Sequence, residues 1–182
     1  MKFLIASDLH GSASACRALM DAFEREKADK LLLLGDILYH GPRNNLPNAY
    51  DTKEALNILN AYFEHILCVR GNCDAEVDQC VLRFPILAEY AVVCADGLTL
   101  YMQHGHREAV APRPGEIVLR GHTHIPAKSL VSSVMHLNPG SVAIPKGGSA
   151  ASYMVYEDCI FTWKTLEGAA FDEYRALPGQ AL

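Results

Sequence analysis

The chain has 182 residues, of which 50% are hydrophobic and 20% are charged, and its formal net charge at pH 7 is -5. This length and apolar content predict one compact domain, residues 1–182, and exclude a disordered or fibrous protein. The acidic balance argues against a protein that holds nucleic acid or an anionic membrane by charge alone.

The compartment is predicted to be the cytoplasm. No apolar run approaches the ~20 residues that a membrane-spanning helix needs. The first residues, Met1 to Asp8, are interpreted as a strand rather than as a signal peptide, because charge appears within them so early. Six cysteines without a C-x-x-C pair are expected to be free thiols.

The first half of the chain alternates short apolar strands with amphipathic helices. A helix over about 12–27 is predicted from the apolar spacing of Cys16, Leu19, Met20 and Phe23. A second helix is expected to begin at Asp51. This βαβ order predicts a parallel sheet. The strands are predicted at 2–6, 31–34 and 66–69.

The second half has the character of a largely antiparallel β-structure, and no strong helical period follows residue 64. The residues from Phe171 onward are expected to form a short helix or a frayed tail. The whole pattern predicts a β-core with helices outside it. The strands of this half are predicted at 90–95, 98–103, 117–119, 128–131, 134–137, 153–156 and 160–164.

Five of the predicted strands end in residue types that bind metal ions. Because ligand crevices lie beyond the carboxyl ends of the strands in an open α/β sheet, residues far apart in sequence are expected to meet there. Each cluster by itself is explained equally well as a turn or cap, but five in one chain are not. The clusters are Asp8-Leu9-His10, Gly35-Asp36, Gly71-Asn72-Cys73-Asp74, His104-Gly105-His106 and Gly121-His122-Thr123-His124.

Taken in order, these five blocks resemble the motif set of the calcineurin-like metallophosphoesterases. The loops at 40–44, 138–141 and 144–148 are similar to those of the small bacterial phosphodiesterases of the YfcE type. The resemblance implies a mixed α/β (α+β) fold, a four-layer α/β/β/α sandwich in which two mixed sheets face each other with helices outside.

The resemblance also implies two divalent metal ions. Mn²⁺ is expected, with Zn²⁺, Fe²⁺ or Ni²⁺ as alternatives, because the ligands are carboxylate, imidazole and amide groups. Asp36 is expected to bridge the ions, since two carboxylate oxygens can span ions ~3.5–4 Å apart. One ion would be held by Asp8, His10 and His124, and the second by Asn72, His104 and His122.

The implied reaction is hydrolysis of a small phosphodiester by a hydroxide that bridges the two metals. Many members of the family have a histidine after the asparagine of the third block, where it is held to protonate the leaving group. Cys73 stands there instead, and cations beside it would favour the thiolate, so His10 or, less directly, His106 or His40 could donate this proton.

The catalytic candidates are therefore His10, Asn72 and Cys73, and the candidates for binding substrate are Arg43, Asn72 and Lys146. Arg43 could equally be a solvated loop residue. Three functions stay open: a phosphodiesterase, a phosphomonoesterase of the same mechanism, and a non-catalytic metal-binding scaffold of the same fold. Diesters are favoured because a monoester carries one more negative charge and needs more cationic contacts. Whether the protein is a monomer, a homodimer or a homotetramer is also open.

Overall fold

Two mixed β-sheets face each other in the computed structural model, which describes residues 1–178. The helices in this part of the chain are α1 (Ala13–Glu26), α2 (Thr52–Ala61) and α3 (Glu76–Gln79), with a 3-10 turn at Phe63–His65. The strands are β1 (Phe3–Ala6), β2 (Lys30–Leu33), β3 (Ile66–Cys68), β4 (Tyr90–Ala95), β5 (Leu98–Gln103), β6 (Ile117–Leu119), β7 (Pro126–Val131), β8 (Val134–Pro139), β9 (Ser152–Glu157), β10 (Ile160–Thr165) and β11 (Ala170–Arg175).

The first sheet has the strand order β11-β10-β9-β1-β2-β3. The strands β1, β2 and β3 are parallel, as predicted from the βαβ pattern, whereas β9, β10 and β11 join in antiparallel fashion. The carboxyl ends of the three parallel strands consequently lie at the same edge of this sheet.

The second sheet has the strand order β4-β5-β6-β8-β7. Its centre is parallel, because β6 pairs in parallel with both β5 and β8. The prediction of a largely antiparallel second half is therefore wrong for this centre. The reason is that residues 104–116 connect β5 to β6 without reversing the strand direction, which places the carboxyl ends of both strands at one edge.

Helix α1 begins and ends as its sequence predicts. The hydroxyl of Ser12 accepts a hydrogen bond from the amide of Ala15, a good N-terminal cap, and Lys27 ends the helix in the left-handed conformation. The apolar side of α1 is buried against the first sheet. Helix α2 is capped in the same way by the carboxylate of Asp51.

Two apolar layers hold these elements together. One lies between the helices and the first sheet, and the other between the two sheets, where Phe3, Ile5, Leu100 and Trp163 are buried. The mixed α/β class with two facing sheets is confirmed, and helices lie outside the first sheet.

The outermost layer differs between the two sheets. The described part of the chain beyond residue 79 has no helix, so the outer face of the second sheet carries an irregular segment instead. In that segment the amide of Ala109 donates to the side chain of Gln103 on β5. Val118, on the same outer face, is fully buried. The fourth layer of the sandwich is therefore a loop rather than a helix in residues 80–178.

The expectation of a short helix or frayed tail from Phe171 onward is wrong over 171–175, which belong to the edge strand β11. This strand pairs with β10, and its Tyr174 packs against Phe161. Lys128 of the second sheet bonds to Asp172 and to the carbonyl of Glu173. Residues 179–182 of the predicted tail lie outside the described residues. Within residues 1–178, every helix falls short of the length and apolarity needed to cross a membrane.

Candidate metal centre

The predicted metal ligands follow strand ends from both sheets. In the first sheet they follow the parallel strands, and in the second they follow the parallel centre, so all of them leave the carboxyl ends of strands. Their order is Asp8 and His10 after β1, Asp36 after β2, Asn72 after β3, His104 after β5, and His122 and His124 after β6.

The backbone at five of these residues is in the left-handed region, which residues other than glycine rarely adopt. Such a conformation costs about 1–3 kcal/mol and persists where the surroundings impose it, commonly at functional sites. The chain turns sharply here and aims the side chains across the strand ends. The φ angles are 60° for Asp8, 48° for His10, 58° for Asp36, 66° for His122 and 62° for His124.

Two glycines allow the loops to approach this closely. A Cβ atom on Gly71 would lie 2.1 Å from Oδ1 of Asp36. A Cβ atom on Gly121 would lie 1.8 Å from the hydroxyl of Ser7 and 2.8 Å from Oδ2 of Asp8. Any larger residue at either position would displace an aspartate of the cluster.

Three histidines are held with the same ring nitrogen facing the cluster. Nδ1 of His10 lies 2.8 Å from the carbonyl oxygen of Tyr39. Nδ1 of His104 lies 2.7 Å from the carbonyl oxygen of Leu34. Nδ1 of His124 is also 2.7 Å from a carbonyl, that of Ile144. Since a carbonyl can only accept, each Nδ1 carries a proton, and Nε2 is the ring atom left to bind a metal ion. This arrangement orients metal-ligating histidines.

The ligand atoms of Asp8, His10 and His124 converge. Oδ1 of Asp8 lies 3.6 Å from Nε2 of His10 and 3.3 Å from Nε2 of His124. The two Nε2 atoms are themselves 3.3 Å apart. Oδ1 of Asp8 is buried and has no hydrogen-bond partner among the described residues. An oxygen and two nitrogen atoms that face each other at these distances can share one bound cation. Carboxylate and imidazole groups are ligands of divalent metal ions, so these residues fit a metal ion.

Asp36 presents one carboxylate oxygen to two groups of ligands. Its Oδ1 accepts a hydrogen bond of 2.8 Å from the amide of Cys73. Its Oδ2 lies 3.7 Å from Nε2 of His10 and 3.4 Å from Nε2 of His104, which in turn is 3.1 Å from Oδ1 of Asn72. Oδ1 thus holds the Cys73 loop, while Oδ2 faces both groups of ligands.

The electrostatics of the cluster favour bound positive charge. Burial by itself would raise the pKa of the Asp8 carboxyl, but the neighbouring imidazoles of His10, His124 and His104 hold it well below its usual value. Burial would likewise lower the pKa of His104, yet the hydrogen bond with Asp36 and the charge of Asp8 raise it to about 9. The two aspartates thus place negative charge among the histidines, where a cation is favoured.

Asp74 organises this centre, although the sequence analysis gave it no role. Its buried carboxylate accepts hydrogen bonds from the amides of Asp36 (2.9 Å), Ile37 (2.8 Å) and Gly71 (2.7 Å). The loops after β2 and β3 are thereby held together. The only signal in the sequence was its place within the third block. The loop after β8 helps in the same way, since the hydroxyl of Ser141 donates to the carbonyl of Asp8.

A polar cavity of ≈ 320 Å³ opens over the cluster. The candidates for binding substrate, Arg43, Asn72 and Lys146, all line this cavity. The structure thus brings the two positively charged side chains to one cavity. Asp36, His122 and His124 line it as well. The cavity therefore combines metal-ligand groups with two positively charged side chains.

The alternative proton donors lie at different places around the cluster. Cys73 is half-buried, and burial together with the charge of Asp36 raises the pKa of its thiol to about 12. The chain by itself therefore favours the protonated thiol. The ring of His106 is 5.4 Å from that of His104, whereas the ring of His40 packs between Tyr39 and Tyr50.

The profile of the calcineurin-like phosphoesterase superfamily domain matches residues 1–158. The chain belongs to the calcineurin-like phosphoesterase superfamily. Phosphodiesterase YfcE of Escherichia coli (strain K12) is 40% identical over 166 residues, which cover 89% of this chain and 90% of that protein. Phosphodiesterase MJ0936 of Methanocaldococcus jannaschii is 29% identical over 153 residues, 77% of this chain and 83% of that protein.

Solved structures of other proteins share this fold. A structure described as Yfce, a phosphoesterase from E. coli, has a TM-score of 0.92 and 37% identity, covering 97% of this chain and all of that one. Wild-type Vps29 of Entamoeba histolytica complexed with Zn²⁺ has a TM-score of 0.61 and 19% identity, covering 96% of this chain and 98% of its own. At that identity the likeness to Vps29 extends to the fold alone.

Proposed function

We propose that the protein is a metal-dependent phosphodiesterase that hydrolyses a small phosphodiester at a site for two divalent ions. The observation that carries this proposal is the set of three Nε2 atoms that face Asp8 and Asp36 because Nδ1 of each ring bonds to a backbone carbonyl. The relatives named phosphodiesterases support the diester as substrate class.

The ligands divide into two sets in this proposal. The first ion would be held by Asp8, His10 and His124, whose ligand atoms lie within 4.8 Å of one another. Asp36 would join the two sets, because its Oδ2 faces both His10 and His104. The second ion would be held by Asn72, His104 and His122.

The metal ions, when bound, supply a hydroxide at neutral pH and offset the charge that develops on the phosphoryl oxygens. The chain's own residues bind and orient the substrate. Arg43 and Lys146 line the cavity and pair with the phosphate, and the guanidinium can donate two hydrogen bonds to it. Asn72 lines the same cavity and also binds the substrate. His10 and Cys73 are the catalytic side chains next to the cluster.

A diester needs fewer cationic side chains than a monoester. Apart from the ions, the positive side chains that line the polar cavity are Arg43 and Lys146. A diester carries one negative charge at neutral pH, whereas a monoester carries nearly two. With two cationic side chains at the cavity, we favour the diester.

Hydrolysis of bis-p-nitrophenyl phosphate tests the proposal. The purified protein is stripped with a chelator, titrated with Mn²⁺, and assayed while the metal content is measured by elemental analysis. We expect activity to vanish on chelation, to return with Mn²⁺, and to saturate at two ions per chain. Asp36→Asn should lower turnover by about 100-fold or more, because it removes the charge that holds both ions.

Asp21→Asn is the matched control, because Asp21 is an exposed aspartate on α1 away from the site. It should retain the activity of the unaltered protein. Two bound ions without any turnover would overturn the enzymatic proposal in favour of a binding role. A protein that binds no metal would overturn the metal centre itself.

Further features belong to the same proposal. Mn²⁺ is the proposed ion, and Zn²⁺, Fe²⁺ or Ni²⁺ would suit the same ligand types. Residues 1–182 are proposed to form a single domain that acts in the cytoplasm, alone or as a homodimer or homotetramer. Its partner is a small phosphodiester rather than nucleic acid, because the net charge of -5 opposes a broad grip on polyanions.

A further inference from the structure

A second cavity, of ≈ 460 Å³, lies beside the metal centre. Its walls come from the segment after β2, from α2 and from the segment around α3, and most of its lining is apolar or aromatic. We call this cavity the apolar pocket. The residues that define it here are Leu38, Tyr39, Tyr50, Leu56, Cys73 and Val81.

The apolar pocket adjoins the metal centre at two residues. Cys73 lines the pocket, and its sulfur lies within 4.8 Å of ligand atoms of His10 and Asp36. Tyr39 also lines the pocket, and its carbonyl oxygen is the partner of Nδ1 in His10. A group attached to a phosphate at the metal centre can therefore reach the pocket past Cys73.

One wall of the pocket is a fixed group of aromatic rings. The ring of His40 stands edge-on to Tyr39, with centroids 4.8 Å apart, and to Tyr50, with centroids 5.2 Å apart. Leu38 is almost fully buried behind them. The wall is thus formed before any ligand binds, which lowers the entropic cost of binding a flat apolar group.

The mouth of the pocket leaves apolar side chains exposed to solvent. Tyr39 is 43% exposed, Val77 is 68% exposed and Val81 is 49% exposed. Single exposed apolar residues are ordinary, but these three line the same pocket next to a charged site. Their surface would be removed from water by an apolar group bound there.

We propose that the apolar pocket binds an aromatic ester substituent of the substrate, so that the preferred substrates are phosphodiesters with a ring on one ester oxygen. This inference rests on the proposed function, because the metal centre must hold the phosphate. The polar cavity suits the phosphate and the apolar pocket suits the ring. A cavity of ~150 Å³ can hold benzene, so a pocket of ≈ 460 Å³ has room for a substituted ring.

Binding of diesters without nitro groups to the Mn²⁺-loaded protein tests the proposal, because their poorer leaving groups make hydrolysis slow. Phosphorus NMR checks that each diester stays intact during the titration. Dissociation constants are measured by calorimetry for dimethyl phosphate, methyl phenyl phosphate and diphenyl phosphate. We expect methyl phenyl phosphate to bind at least about 10-fold more tightly than dimethyl phosphate, because burial of a ring removes its apolar surface from water. Equal affinities would overturn the proposal.

Two valines of similar exposure supply a variant and its control. Val81 in the pocket is 49% exposed, and Val92 on β4 is 45% exposed. Val81→Asp should reduce the affinity ratio between methyl phenyl and dimethyl phosphate by about 5-fold or more, because a charge replaces apolar lining. Val92→Asp should leave that ratio unchanged. An equal fall in both variants would contradict the assignment to this pocket.

The remaining outcomes separate this proposal from the proposed function. Suppose that Mn²⁺-dependent turnover of bis-p-nitrophenyl phosphate is normal but the phenyl and methyl diesters bind with equal affinity. That result overturns the ring-binding role of the apolar pocket and leaves the proposed phosphodiesterase function intact. If Val81→Asp also lowers the number of subunits in sedimentation experiments, the pocket face is an interface between copies of the chain. That result, too, overturns the proposal.

Discussion

Cys73 stands where many members of the superfamily have a histidine, and it lies between the metal centre and the apolar pocket. Its amide donates to Asp36, so the backbone at this position is already needed by the cluster. Its side chain is half-buried, and burial and Asp36 raise the pKa of the thiol to about 12 in the metal-free protein. The thiol is therefore a weaker proton donor than an imidazolium would be.

We predict that Cys73→His increases turnover of diesters with poor leaving groups, because an imidazole titrates nearer to neutral pH. The rate should be measured for a series of aryl diesters as a function of the leaving-group pKa. The dependence should become shallower in the variant. Cys80→His, at an exposed cysteine, serves as the control. An unchanged dependence in Cys73→His would contradict this role for position 73.

We predict that Asp74→Asn weakens the metal centre although Asp74 touches no metal ligand atom directly. The side-chain amide of the asparagine would turn an N–H donor toward one of the three backbone N–H groups that now donate to the carboxylate. The free energy of unfolding should fall by about 1–3 kcal/mol, and metal affinity by about 10–100-fold.

Urea denaturation and metal titration measure the two effects of Asp74→Asn. Asp51→Asn is the control, since asparagine caps a helix about as well as the aspartate that begins α2. If Asp74→Asn lowers stability but leaves metal affinity intact, Asp74 does not position the ligands.

At the scale of elements, Glu26 at the end of α1 fastens the helix layer to the first sheet. Its carboxylate accepts hydrogen bonds from Lys164 on β10 at 2.8 Å and from the hydroxyl of Tyr153 on β9 at 2.9 Å. Lys2 lies 3.8 Å away. Burial acts to raise the pKa of Glu26, but these donors hold it below its usual value.

Because the folded protein lowers the pKa of Glu26, the carboxylate stabilises the fold above the usual glutamate pKa of ~4.3 and this stabilisation is lost as pH falls through the lower folded value. We predict that Glu26→Gln costs about 1 kcal/mol at pH 7 and that the variant and the unaltered protein become equally stable in acid. Urea denaturation at several pH values measures this difference.

Glu157→Gln is the matched control for Glu26→Gln, because Glu157 also pairs with Lys2, at 3.2 Å, but is 54% exposed. It should have little effect on stability at any of these pH values. A difference between Glu26→Gln and the unaltered protein that persists unchanged into acid would contradict the ion-pair explanation.

At the scale of the whole molecule, the metal centre joins the two sheets. Asp8 and Asp36 come from strand ends of the first sheet, whereas His104 and His124 come from strand ends of the second. Bound ions would therefore hold the two sheets together at this edge. The negative charge of Asp8 and Asp36, which raises the pKa of His104, favours such ions.

We predict that removal of metal lowers the melting temperature and that the loss is reversed by Mn²⁺ in a concentration-dependent way. Binding to the folded state alone stabilises it by about 2.7 kcal/mol when the free ion is at 100 times its dissociation constant. Scanning calorimetry of the chelated and Mn²⁺-loaded protein measures the shift, and Asp36→Asn should show a smaller one. A melting temperature that does not depend on Mn²⁺ would contradict the metal centre.

The sequence by itself determined the strand and helix order of the first half and the residue types at the strand ends. Local rules are sufficient there: apolar spacing predicts α1, a capping aspartate predicts α2, and parallel strands direct Asp8, Asp36 and Asn72 to one edge. It could not predict β11, because an edge strand at 170–175 is stabilised by its neighbour β10 and by Lys128 from the other sheet.

Only the tertiary structure decided how the ligands are aimed. The partners of the three histidines are the carbonyls of Tyr39, Leu34 and Ile144, and a carbonyl is the same in every residue, so no sequence pattern marks it. Oδ2 of Asp36 faces the histidines, while Oδ1 accepts a hydrogen bond from the amide of Cys73, which another loop brings to it. Sequence specifies which groups are present, whereas long-range packing specifies which of their atoms face the metal centre.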